Sequence, residues 1–133
     1  MVTRQRFKID GLGWDVTVYY TIDEDQKKEI MNYMDCLTTN QEIIESVKNN
    51  IEKAEEDTGF TYSNFANKCS LLVIHKASSL GEFINTFEHE KNHLEMHICE
   101  ALDINPYSEK AAHMSGDLAQ MIIEKALYSI ISL

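Results

Sequence analysis

The stretch 79–103 constrains this chain more than any other, because it reads as one unbroken helix against which the remaining elements must pack. Ser79 followed three residues later by Glu82 is a capping-box signature. Leu80, Phe83, Ile84, Phe87, Leu94, Ile98 and Leu102 then recur as one apolar stripe at helical spacing. At the middle lies His89-Glu90-Lys91-Asn92-His93, the HExxH pattern. Residues four apart on a helix sit about 40° from each other and about 6 Å along the axis, so His89 and His93 project toward a common point. Two imidazoles so placed can share a metal ion. Glu90 falls at the edge of the same face, where it can take a proton from a water instead of ligating the ion.

A zinc site that performs chemistry takes three protein ligands and leaves a fourth position to water. Glu109 is the candidate third ligand. After the break 103–106 a further helix begins, with Asn105 or Ser108 as its cap and Pro106 in its first turn. If that helix folds back on the first, Glu109 is the first carboxylate it brings to the two histidines. His113 and Asp117 follow at four-residue steps on the same face. His113 is placed to steady an oxyanion or orient the water, and Asp117 to hydrogen-bond a ligating ring from outside. His97 extends the His89, His93 series, but eight residues of helix separate it from His89 by about 12 Å, too far for both to reach one ion. It is an outer partner of the site, a surface residue, or a partner of Glu100.

These residues resemble the zincin metallopeptidases, and the Glu on the following helix is similar to the thermolysin-like branch, the gluzincins. In size the chain is most similar to the single-domain minigluzincins and to small zincin-like proteins of bacteria and phages. The resemblance covers the chain from Cys69 onward and implies an α+β fold. It also implies Zn²⁺ on His89, His93 and Glu109, Glu90 as general base, and a peptide or protein substrate. By the same resemblance the strand entering the HExxH helix lies along the substrate, which puts His75 and Lys76 near the cleft. Nothing in the chain matches the second subdomain that closes the cleft of thermolysin-like enzymes. The alternative is therefore an inactive zincin-like binding or regulatory module, with or without metal. A di-iron bundle, the other use of Glu-x-x-His, requires a second such pair on another helix, and the sequence has none.

The rest of the chain fits an α+β reading: a hairpin and one further strand on about four helices, in one domain, 1–133. Within 4–22, Trp14, Val16, Val18, Tyr20 and Ile22 alternate with polar residues or Tyr19, the period of a half-buried strand. Phe7 and Ile9 mark its partner, and Gly11-Leu12-Gly13 the turn. Asp23 or Asp25 caps a helix to Leu37, and a Thr39/Glu42 capping box opens another carrying Ile43, Ile44, Val47, Ile51 and Ala54. The segment 60–68 reads as a loop in which Tyr62 and Phe65 pack, 70–75 as a strand, and 108–132 as the last helix.

A formal net charge of −10 and a pI near 4.8 repel phosphate backbones, which disfavours nucleic acid as a partner. No apolar run has the length of a membrane span, and no signal peptide is visible. Cys36, Cys69 and Cys99 lack zinc-finger spacing and read as reduced core thiols of a cytoplasmic protein.

Overall fold

Alternation makes the first element a hairpin of β1 (Arg4–Ile9) and β2 (Trp14–Tyr20), in a computed structural model that describes residues 4–130. Gly11 and Gly13 turn the chain at φ of +78° and +64°, a region that glycine enters without a Cβ penalty. Leu12, between them, packs partly against the core. Two helices follow, α1 (Glu24–Leu37) and α2 (Gln41–Lys53). Asp23 caps α1 through a reciprocal box with Gln26. The cap of α2 is Asn40, not Thr39: its Oδ1 accepts from the Glu42 and Ile43 amides, one residue beyond the predicted box.

The chain then returns as β3 (Gly59–Asn64) and β4 (Cys69–Ile74), and ends in α3 (Leu80–Leu102) and α4 (Glu109–Ile130). The predicted end of the last helix at 132 lies outside the described residues. The class is α+β, with the hairpin, the further strand and four helices as expected, and a fourth strand where a loop was expected over 60–68. Sheet order is β1-β2-β4-β3. β2 and β4 run parallel, while β3 returns antiparallel along the far side of β4.

Helices cover both faces of this sheet. Trp14, Val16, Val18 and Tyr20 of β2, with Leu72 and Ile74 of β4, pack on Phe83, Phe87, Leu94 and Ile98 of α3 and on Leu118 and Ile122 of α4. The opposite residues, Tyr19 of β2 with Leu71 and Val73 of β4, pack on Ile30 and Met34 of α1 and Val47 and Ile51 of α2. β2 is therefore buried on both sides, although its sequence alternates like a half-exposed strand. Its two phenols remain satisfied, Tyr19 donating to Glu29 at 2.6 Å and Tyr20 to Gln5 at 2.9 Å. Burial is the first cause raising both phenol pKa values, so both stay protonated donors. Of the three free cysteines, Cys69 and Cys99 are buried as expected; Cys36 is exposed near the end of α1. Among the described residues no helix is long and apolar enough to cross a membrane.

β4 lies inside the sheet, between β2 and β3, so it has no edge along which a second chain could pair. The His75 side chain, expected beside a cleft, turns instead to α2, while Lys76 is exposed and its carbonyl accepts from the Asp57 amide at 2.9 Å. His75 is 3% exposed, and its Nε2 lies 2.7 Å from Asn50 Oδ1 of α2. Burial, and secondarily Lys27, hold the His75 pKa below its ordinary 6.5. The unfolded chain then binds this proton more readily than the folded one, so folding stability is present above the unfolded value and lost as pH falls through and below it. The urea midpoint should decline between about pH 7 and about pH 5, and the decline should be shallower in His75→Gln. Equal slopes in the two proteins would show that His75 does not carry the effect.

Candidate metal centre

α3 begins where the capping signature puts it. Ser79 Oγ accepts from the Glu82 amide at 3.1 Å, and the helix runs without interruption to a left-handed cap at Asp103, φ +54°. His89 and His93 stand exposed on one side of it, with their Nε2 atoms 3.2 Å apart. Two Zn–N bonds of about 2.05 Å at a tetrahedral angle span about 3.3 Å, so this pair is already spaced as two ligands of one ion. Glu90, by contrast, is only 4% exposed. A carboxylate oxygen of Glu90 and one ring nitrogen from each histidine all lie within 4.8 Å of one another, and this group can hold a metal ion.

Glu90 is held from the sheet. Thr61 of β3 donates from Oγ1 toward Glu90 Oε1 at 2.9 Å and toward the Glu90 carbonyl at 3.1 Å. Gly59, two residues earlier on the same strand, lets strand and helix approach: a Cβ built there would lie 2.4 Å from the Val73 carbonyl oxygen and 3.2 Å from Glu90 Cγ. The loop before β3 is fixed as well. Asp57 accepts from the Ser78 amide and hydroxyl, both at 2.7 Å, and its own carbonyl accepts from Thr86 Oγ1 at 3.1 Å. Asp57, Gly59, Asn85 and Thr86 join His89 and Glu90 around a pocket of about 240 Å³.

His97 stands one turn beyond His93, with ring centroids 6.4 Å apart. Its Nδ1 meets Ser63 Oγ of β3 at 2.7 Å. Ser63 meets Ser70 at 2.6 Å, and Ser70 accepts from the indole of buried Trp14 at 2.9 Å. This polar chain crosses the sheet from the core to the histidine row, and Phe65 packs on its outer end, 5.8 Å from His97 and 6.4 Å from Trp14 between ring centroids. Burial first, and then His93, lower the His97 pKa, while Glu100 opposes them. Ser63, and not Glu100, is the hydrogen-bonding partner the structure gives its Nδ1.

The structure does not bring Glu109, His113 and Asp117 to the histidine pair. α4 runs back along the other side of α3, where Lys91 Nζ donates to Ser115 Oγ at 2.9 Å and pairs with Glu95 at 2.6 Å. Lys91 is two residues past His89, which on a helix is about 200° around the axis. The side of α3 that meets α4 is therefore nearly opposite the side that carries His89. Glu109 and His113 face solvent, their side chains 93% and 81% exposed with 3.9 Å between Oε2 and Nε2, and Asp117 is exposed too. Thr61, which meets Glu90, and Ser63, which meets His97, lie in the segment read as loop, and Gly59 lies just before it. A strand signal was present there: small or polar residues at 59, 61 and 63 alternate with Phe60 and Tyr62. No family model, curated protein or solved structure matches this chain.

Proposed function

We propose that this protein is a zinc-dependent hydrolase of peptide bonds, with His89 and His93 as two of the ligands to the ion and Glu90 acting as general base. One observation carries the reading: a buried carboxylate, hydrogen-bonded in place, stands beside two imidazole nitrogens already spaced for a shared ion. Zinc, when bound, supplies a Lewis acid for the scissile carbonyl and makes water a nucleophile near neutral pH. The remaining chemistry belongs to the chain. Water adds through oxygen to the carbonyl carbon, its proton passes to Glu90, and Glu90 returns that proton to the departing amine. Support for a peptide comes from β3, which borders the site and among the described residues pairs with β4 alone, leaving its other edge to an extended backbone. The unpaired state of all three cysteines supports a reducing, cytoplasmic setting.

The position of Glu109 favours a second reading. With that carboxylate turned to solvent, His89, His93 and Glu90 are the protein donors the structure brings together, a set that suits a binding module as well as an enzyme. Zinc titration followed by digestion of a mixed peptide library separates the two. The hydrolase takes up zinc and cleaves, cleavage stops on chelation, and zinc at about 100 times its Kd stabilises the fold by about 2.7 kcal/mol. His93→Ala loses both uptake and stabilisation. Zinc uptake with peptide binding but no cleavage identifies the module, and no uptake at all rejects the metal site.

A further inference from the structure

We infer that Thr61 is the positioning residue for Glu90, through which edge strand β3 fixes the general base; this deepens the hydrolase reading and rests on it. A glutamate on a helix has three rotatable side-chain bonds, and next to two imidazoles it has two competing places to go. It can swing onto a shared ion as a ligand, or stand back and face a water. Only the second is useful to a base, and helix geometry alone does not choose between them.

Here the choice is made from the sheet. The single Thr61 hydroxyl proton is shared between the Glu90 carboxylate, at 2.9 Å, and the Glu90 backbone carbonyl, at 3.1 Å, so the same donor ties down both ends of the residue. Burial of Glu90 to 4% keeps bulk water from competing for that carboxylate. Gly59 keeps β3 close enough for the contact: a Cβ there would lie 2.4 Å from the Val73 carbonyl oxygen and 3.2 Å from Glu90 Cγ. The strand that offers an open edge to an extended chain thereby also holds the base, and a docked backbone and the Glu90 carboxylate are referenced to one rigid element.

The test compares Thr61→Val, which removes the donor at nearly constant shape, with Thr61→Ser, which keeps it. In zinc-loaded protein, Thr61→Val should lower kcat by roughly 10- to 100-fold, the usual scale for an outer hydrogen bond at a metal site, with KM and the zinc Kd within about twofold of the parent. Thr61→Ser should restore most of kcat. Independently of turnover, thermal unfolding of the metal-free protein should show coupling: Thr61→Val lowers Tm in the parent and lowers it much less in a Glu90→Ala background. Unchanged kcat in a folded Thr61→Val protein, or strictly additive Tm changes, overturns the positioning role while leaving the hydrolase reading standing. If the parent itself neither takes up zinc nor cleaves peptides, the hydrolase reading fails and the positioning role falls with it, even where the Tm coupling persists as a purely structural tie.

Discussion

Glu90→Gln should retain zinc and lose hydrolysis, with kcat reduced by roughly 10²- to 10⁴-fold, the range in which general-base catalysis contributes. The substitution is nearly isosteric. The amide oxygen still accepts from Thr61, so the side chain keeps its place between β3 and α3. What it loses is the capacity to receive a proton. Because the two imidazoles proposed to hold the ion are untouched, zinc affinity should stay close to that of the parent, and the loss should appear in kcat rather than KM. Steady-state kinetics on a cleaved peptide, with zinc quantified in the same samples, checks both points. A variant that hydrolyses at the parent rate would remove Glu90 from the chemistry altogether.

Gly59→Ala should be among the most damaging single-methyl insertions in the protein, costing about 3 kcal/mol, at the upper end of the overpacking range. The reason is the identity of the atom in the way. A Cβ at this position lies 2.4 Å from the Val73 carbonyl oxygen, a backbone atom of an internal strand whose six residues are all buried, and β4 cannot retreat. The other neighbours, Glu90 Cγ at 3.2 Å and Thr86 Cγ2 at 3.3 Å, belong to α3. Relief therefore requires β3 to lift away from β4, from α3, or from both, and either movement loosens the Thr61 tie to Glu90. Gly116→Ala is the internal control. Gly116 sits within α4 with no heavy atom within 4 Å of a Cβ, so alanine there should stabilise by about 0.5–1 kcal/mol. Urea melts of the three proteins give both signs, and a Gly59→Ala midpoint equal to the parent would mean that β3 does not lie so close to β4 and α3.

Local signals placed the elements that local energetics decide. The start of α3 at Ser79 was legible because a hydroxyl three residues before a glutamate satisfies amides that have no other partner. The hairpin was legible because two glycines flank its tip and the apolar period on one side is two. Such signals are blunt at the resolution of one residue: Thr39 and Asn40 are both good caps, and the asparagine accepts two amides where the threonine was expected to accept. β3 was harder to see, because it is six residues long, carries no run of large aliphatics, and is only partly buried along its length. Its stability comes from its ladder to β4 and from its packing on α3, neither of which is written in its own residues. His75, at the end of an apolar run, looks like an exposed terminus until α2 is seen to lie across it.

The convergence of His89, Glu90 and His93 needed nothing beyond the sequence, because it is a property of one helix: a fixed rotation per residue sets which side chains meet, and the caps and apolar stripe make the helix certain to form. Whether Glu109 joins them was a different kind of question. Its answer depends on which flank of α3 receives α4, and that is decided by the burial of Leu118, Ile122 and their neighbours against the sheet and by the seating of Lys91 between Glu95 and Ser115. The same nonlocal packing brought Thr61 to Glu90 from twenty-nine positions away in the chain. Rotation along a helix is local and therefore readable; the choice of neighbour is made by apolar surface seeking cover, which any of several faces of an amphipathic sequence can satisfy until the whole chain is folded.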